Sequence, residues 1–137
     1  ATGKYVGYVD GDDWVGVGFY ESLHNHIAAT DADIACAGFR RDLFTSTSSF
    51  TDNLQSGLYE GERLDALRMK MLSNGDFYRL GVSTYVWNKL FKRELLLEAQ
   101  LSVDNSISIG EDGAVTYPAI MKARKVVLTD NTAYHYR

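Results

Sequence analysis

Along this chain the apolar residues change their spacing several times, and the changes divide it into elements. Tyr5-Val6-Gly7-Tyr8-Val9 is a short β-rich run that stops at Asp10-Gly11-Asp12-Asp13, which predicts a strand followed by an acidic turn. Trp14, Val17, Tyr20, Leu23 and Ile27 then recur at intervals of three or four. That is the helix period, so a helix is expected, capped by Asp12 or Asp13 and closed by Thr30-Asp31. From Ala32 to Phe39 the apolar residues run on with little alternation, as in a strand covered on both faces.

Arg40 to Tyr59 is polar, rich in Ser and Thr, and reads as surface strand or loop. Beyond Gly61, Leu64, Leu67, Met71 and Leu72 mark a second amphipathic helix, ended by Asn74-Gly75. Tyr85 to Leu97 predicts a third helix, with Val86, Leu90 and Phe91 inward and Lys92, Arg93 and Glu94 outward. Asp104 to Gly110 reads as a loop. Asp112 to Ala123 reads as a helix, with Pro118 in its first turns or at a kink. Lys125 to Thr129 and Ala133 to Arg137 are expected to be the last strands. This order gives an α/β class: one domain over residues 1–137, a mixed sheet flanked by helices.

Composition narrows the function classes. The chain has 137 residues, 45% apolar and 23% charged, values of an ordinary globular interior rather than a disordered chain. No run approaches the roughly 20 apolar residues that a membrane-crossing helix needs. Fourteen basic against eighteen acidic residues leave a net charge of −4, without the basic stripe of a nucleic-acid binder. Cys36, the single cysteine, lies in the apolar run Ile34-Ala35-Cys36-Ala37. A buried, inert thiol in a reducing compartment is expected. The chain opens Ala-Thr-Gly without a signal-peptide pattern, and strand-like sequence starts by Lys4 or Tyr5, which suggests a chain entered in the middle.

The chemistry concentrates in Val9-Asp10-Gly11-Asp12-Asp13-Trp14. Three carboxylates within four residues repel one another unless solvated or shared by a cation. Such a group suits a hard divalent ion that keeps waters and also meets substrate phosphates. An acidic turn that merely caps a helix would carry the same letters. An EF-hand loop from Asp10 would place Glu21 correctly, but Val15 stands where glycine is required and a strand precedes it. A haloacid-dehalogenase-type phosphatase also carries D-x-D after an apolar strand. Here Trp14-Val15 stands where those enzymes usually have Thr or Val, and their late acidic motif is incomplete at Gly110-Glu111-Asp112. That reading stays a minor alternative.

Gly3 to Trp14 resembles the G-x-Y-I-x-F-x-D-x-D-D-W segment of family 2 bacterial glycosyltransferases, which have the GT-A, nucleotide-diphospho-sugar transferase-like fold. Ala32-Asp33-Ile34-Ala35 with Gly38-Phe39 is similar to their A-D-I-x-x-x-G-F strand. Val86 to Arg93 is similar to their W-N-K-L-Y-K-R helix, Gly110-Glu111-Asp112 to their E-D motif, and Tyr134-His135-Tyr136-Arg137 to their closing Y-Y-Y-R. Five matches in the family's order span nearly the whole chain.

The resemblance implies inverting transfer of a sugar from a nucleotide-diphosphate donor, most simply a UDP-sugar, to a saccharide or lipid-linked acceptor hydroxyl in surface polysaccharide synthesis. Asp10 would lie near the nucleotide, Asp12 would ligate Mg²⁺ or Mn²⁺, and Asp13 would assist the metal or support the turn. Asp112 would be the general base, with Glu111 as competitor or as a first-turn carboxylate favoured by the helix dipole. Trp87, Asn88 and Lys89 would face the acceptor. Otherwise Trp87 is core, Asn88 a helix cap and Lys89 solvated. His135 could add a ring nitrogen to the metal, although a strand-surface histidine is the simpler view. His24 and His26 face opposite sides of their helix, and Arg40-Arg41 could bind phosphate but reads more simply as a surface charge pair.

Nothing before Gly3 matches the family's nucleotide-binding βαβ unit. The expectation is therefore a partial GT-A fold, the acceptor-side half with the metal motif, inactive or nearly so alone. An unpaired sheet edge would then favour a homodimer. The competing class is a binding or interaction module that keeps the fold without catalysis. A cytoplasmic location is expected, at the inner face of the membrane if flanking sequence supplies an anchor.

Overall fold

A computed structural model describes residues 1–77, 79–104 and 106–137. The first apolar run forms strand β1 (Tyr5–Gly7) and ends before the acidic turn. Next comes a two-residue strand, β2 (Trp14–Val15), and only then helix α1 (Phe19–Thr30). The helix period seen from Trp14 thus starts too early. Gly16 and Gly18 break it, Trp14 pairs with His135 instead, and Gly18 in a left-handed conformation (φ 77°) precedes the helix, so neither Asp12 nor Asp13 caps it.

The run from Ala32 is buried through Gly38, but it is not one strand. Strand β3 (Ile34–Cys36) ends, and the chain passes at Gly38 into β4 (Phe39–Leu43), which belongs to a second sheet. A side chain at Gly38 would collide with the carbonyl oxygen of Phe50, so the crossing requires glycine. The polar stretch then folds into β5 (Ser46–Phe50), β6 (Gly57–Glu60) and α2 (Gly61–Lys70).

The largest departure from the pattern follows. Where a helix is expected from Tyr85, the structure has strand β7 (Lys89–Lys92), and only then α3 (Arg93–Leu101). Helix α4 (Glu111–Lys122) carries Pro118 in its second half. Strands β8 (Lys125–Leu128) and β9 (Tyr134–Tyr136) close the chain.

Five strands form one sheet in the order β1-β7-β3-β8-β6, with only β3 and β8 parallel. The other sheet runs β2-β9-β4-β5. Alternation across the central strands explains why they read as continuously apolar. Ile34, Cys36, Phe91, Val126 and Leu128 face α2, α3 and α4, whereas Ala35, Leu90 and Val127 face α1 and the second sheet. On that second face Phe19, Leu23 and Ile27 of α1 are essentially fully buried. Each such side chain contributes about 1.5–3 kcal/mol relative to exposure. Strand β7 lies between β1 and β3, so its backbone is paired on both sides. That pairing outweighs the local helical preference of Leu and Lys. No helix among the described residues is long and apolar enough to cross a membrane.

Candidate active site

The acidic turn leaves the end of β1 and closes on itself, the Asp13 amide donating to the Asp10 carbonyl at 3.1 Å. Its shape is held by a buried tyrosine. The Tyr134 hydroxyl donates to Asp13 Oδ2 at 2.9 Å and accepts the Asp10 amide at 3.2 Å. The Arg137 amide takes the other Asp13 oxygen at 3.0 Å. Both oxygens of Asp13 are thus committed to the turn. Asp10 and Asp12 are exposed, and their carboxylates have no hydrogen-bond or ion-pair partner among the described residues. Limited burial, then the charges of Asp13 and Asp12, hold the Asp10 carboxyl above its usual range.

The second acidic pair begins α4. Gly110, left-handed at φ 82°, turns the chain so that Glu111 and Asp112 fall in the first helical turn. Glu111 is exposed at the positive end of the helix dipole. Asp112 is half-buried, and its Oδ2 accepts the Val86 amide at 3.3 Å. Burial raises the Asp112 carboxyl above its usual range. The Val86 hydrogen bond opposes this, and the negative charges of Glu111 and Asp10 add to it. Asp10 is therefore near enough to act electrostatically on Asp112. Asp112 borders a cleft of about 330 Å³ whose walls include Tyr8, Val86, Gln100, Val103 and Glu111. A larger hollow, about 720 Å³, lies at the other end of the sheet around Lys4, Asp33, Lys92 and Arg124, away from both acidic pairs.

The three residues expected to face the acceptor are buried, and only for Trp87 does the alternative reading, a core residue, hold. Trp87 is 4% exposed and stacks between Tyr85 (4.5 Å between ring centres) and Tyr134 (4.4 Å). Asn88 is buried and donates to the Ala37 carbonyl at 2.6 Å, bracing two chain segments rather than capping a helix. Lys89, expected to face the acceptor or otherwise to be solvated, is fully buried. None of the three side chains is open to an acceptor, because the segment is strand and turn in the core. Tyr85, 38% exposed over Trp87, is the aromatic that reaches the surface. The exposed Tyr preceding a buried Trp was not singled out in the sequence, nor were Tyr8 and Tyr134. The two-residue alternation of Tyr134-His135-Tyr136 is the one signal that Tyr134 points inward.

His135 is not brought to the carboxylates of the turn. Its Nδ1 pairs with Asp42 Oδ2 at 2.6 Å, and its ring stacks on Trp14 at 4.9 Å. Among the described residues no three His, Cys, Asp or Glu side chains converge as a metal cage. The free oxygens of Asp10 and Asp12 do fit a hard cation that completes its shell with water and substrate phosphate. Cys36 is buried, and its thiol is pushed up to about 12, which makes it inert at neutral pH. Arg40 and Arg41 are exposed on β4, and His24 and His26 are exposed on α1.

Comparisons with known proteins point one way. Over its full length the chain is 28% identical to the uncharacterized glycosyltransferase EpsJ of Bacillus subtilis, of which it spans 38%. It is also 28% identical, over 138 residues, to the cholesterol galactosyltransferase of Borreliella burgdorferi, of which it spans 37%. In fold it is similar to S. aureus TarS 1–349, with a TM-score of 0.70 at 14% identity, covering 98% of this chain and 36% of that one. The TarS complex with UDP-GlcNAc gives 0.69 at 15% identity. No family profile matches the chain. The mixed α/β fold is thus that of part of a glycosyltransferase, and the chain spans little more than a third of these relatives.

Proposed function

We propose that this chain is part of a family 2, GT-A-type glycosyltransferase that moves a sugar from a nucleotide diphosphate to an acceptor hydroxyl with inversion. The observation that carries this reading is Asp112: a half-buried carboxyl with raised proton affinity, at the wall of a cleft, electrostatically coupled to the acidic turn. A general base works best when its proton affinity approaches the working pH, and burial moves Asp112 in that direction. Asp112 takes the proton of the acceptor hydroxyl as that oxygen attacks the anomeric carbon. Glu111 remains solvated and supports the helix start.

Asp10 and Asp12 would hold Mg²⁺ or Mn²⁺, which neutralises charge on the departing diphosphate. Asp13, fully used by Tyr134 and Arg137, keeps the turn in shape, and His135 stays outside the metal shell. A UDP-sugar donor is the natural choice, given a fold shared with a protein solved with UDP-GlcNAc. A saccharide or lipid-linked acceptor would enter beside Tyr85, with Trp87, Asn88 and Lys89 as its support. Surface polysaccharide synthesis on the cytoplasmic side of the membrane is the setting. The relatives extend well beyond the matched region, so we place most base-binding residues outside these 137 residues and expect the chain alone to turn over little. Strand β1, paired on one side only among the described residues, offers an edge through which two copies could join.

The test is calorimetric titration of UDP-sugars with Mn²⁺ into this chain and into a longer form of the protein. Saturable, metal-dependent binding that disappears in Asp12→Ala supports the proposal. Metal-independent binding, or none by either form, rejects it.

A further inference from the structure

Residues 82–89 form a turn with a buried cation inside it, and the proposed proton transfer does not use that cation. Four oxygens surround Lys89 Nζ: the Tyr85 carbonyl at 2.7 Å, the Ser83 carbonyl at 2.9 Å, Asn88 Oδ1 at 2.9 Å and Ser83 Oγ at 3.0 Å. An ammonium has three donors and no acceptor, so this one spends all its protons on its own turn. Among the described residues no carboxylate lies within ion-pair distance of it. Its direct partners are neutral, and the carboxylates of Asp52 and Asp112 feel its charge only from further away. Such burial carries a desolvation penalty that an apolar side chain would avoid, which calls for a reason.

The geometry supplies one. The carbonyls of Ser83 and Tyr85 turn inward to the ammonium, so the peptide between them and Trp87 presents its other side outward. Val86 is bracketed: its carbonyl accepts the Lys89 amide at 3.3 Å, and its N–H meets Asp112 Oδ2 at 3.3 Å. Neighbouring elements hold the rest of the turn. Asp52 Oδ1 accepts the Ser83 amide at 2.7 Å, and the Tyr117 hydroxyl of α4 donates to the Val82 carbonyl at 3.1 Å.

We propose that Lys89 is a positioning residue, gathering the Ser83 and Tyr85 carbonyls so that the Val86 N–H holds the Asp112 carboxylate at the wall of the cleft. The importance of this for transfer rests on Asp112 being the base. The positioning itself does not. Besides the Val86 amide, the groups acting on Asp112 are Glu111 and Asp10, which favour its protonated form, and Lys89, which favours the ionised one. Removing Lys89 takes away a cation and loosens an N–H donor, and both changes raise the proton affinity of Asp112.

The experiment follows the Asp112 carboxyl carbon by NMR during a pH titration of the whole chain. In Lys89→Met the midpoint is expected to rise by about one unit. Leu67→Ala, a core change in α2, is expected to lower the melting temperature and leave that midpoint where it was. An unmoved Asp112 midpoint in folded Lys89→Met overturns the proposal, and so does a Val86 amide signal that still reports Asp112 ionisation as in the unaltered chain, since loss of the charge alone would leave that hydrogen bond in place. If Lys89→Met does not fold, the unaltered chain decides. The Val86 amide signal must then follow the Asp112 midpoint, and a flat trace refutes the coupling. Loss of the base assignment would show separately, as undiminished transfer by Asp112→Asn in the longer protein.

Discussion

Carboxylates stand at both ends of the five-stranded sheet, and their surroundings differ in sign. At the start of β3, Asp33 is 5% exposed and receives Lys92 Nζ at 2.7 Å, the Arg124 amide at 2.7 Å and the Arg124 guanidinium at 3.2 Å. Burial alone would raise its carboxyl, but the hydrogen bonds from Lys92 and Arg124 outweigh that and hold it below the usual range. At the other end Asp112 is half-shielded from water, yet it has one amide donor, two acidic neighbours and only the distant charge of Lys89 to offset them, and its carboxyl is raised. Desolvation acts on both. What separates them is whether a cation bonds the carboxylate directly: Lys92 and Arg124 do so at Asp33, tying β3, β7 and the end of α4 together, whereas Lys89 acts on Asp112 only at a distance. The end left short of cations is the one with free carboxylates and a cleft, a pattern suited to binding an external cation and moving a proton.

The contrast is tested most strongly by neutralising one carboxylate at each end. Asp112→Asn is expected to cut transfer by the longer protein about 10²–10⁴-fold, the usual worth of a general base, in a steady-state assay. Its melting temperature should stay level or rise, because the amide oxygen can still accept the Val86 N–H while repulsion from Glu111 and Asp10 is relieved. Asp33→Ala should do the reverse, lowering stability by about 2 kcal/mol in urea unfolding and touching no site residue. That figure is below the full cost of breaking a buried pair, because the freed cations can reach water.

The pH dependence of stability separates the two ends as well. The depressed Asp33 carboxyl contributes stability that is present above about pH 4, the unfolded value, and lost as pH falls through its folded value. For Asp112 the folded state binds the proton more tightly, so stability declines as pH rises from about 4 through its raised value. Urea denaturation between acid and neutral pH should therefore show Asp33→Asn flattening the acid limb and Asp112→Asn lifting the neutral side. Identical profiles for the two variants would contradict the contrast. Lys92→Met, which leaves Arg124 on Asp33, should lower stability by about 1 kcal/mol, since its side chain is partly in solvent. Arg124→Ala should have the smallest effect, near the limit of thermal-melt detection, because that side chain is 71% exposed and Asp33 keeps the backbone amide.

Much of this was legible along the chain. The acidic turn after β1, the helix opening at Glu111-Asp112 and the buried run from Ala32 all fall where the letters place them, because turn residues and capping glycines act locally. The segment at Trp87-Asn88-Lys89 was not legible in the same way. The letters that follow it, Leu90 and Lys92 to Leu97, are mostly good helix formers, and nothing nearby in sequence shows that β1 and β3 flank it and demand a strand. The helix period counted from Trp14 misled for a related reason: the partner that makes Trp14 a strand residue is His135, at the far end of the chain.

The sequence by itself determined which residue types could act: three aspartates on a glycine turn, two acids opening a helix, one thiol in an apolar run. Those follow from spacing, which is local. The tertiary structure decided which of them are available. Tyr134 and Arg137 take Asp13, Asp42 takes His135, and the core encloses Trp87, Asn88 and Lys89, while Asp10, Asp12 and Asp112 keep free or under-partnered oxygens. Partnership and burial are set by contacts across some 120 residues of chain, as between Asp13 and Tyr134. Proton affinity follows from them, so only the fold could assign it.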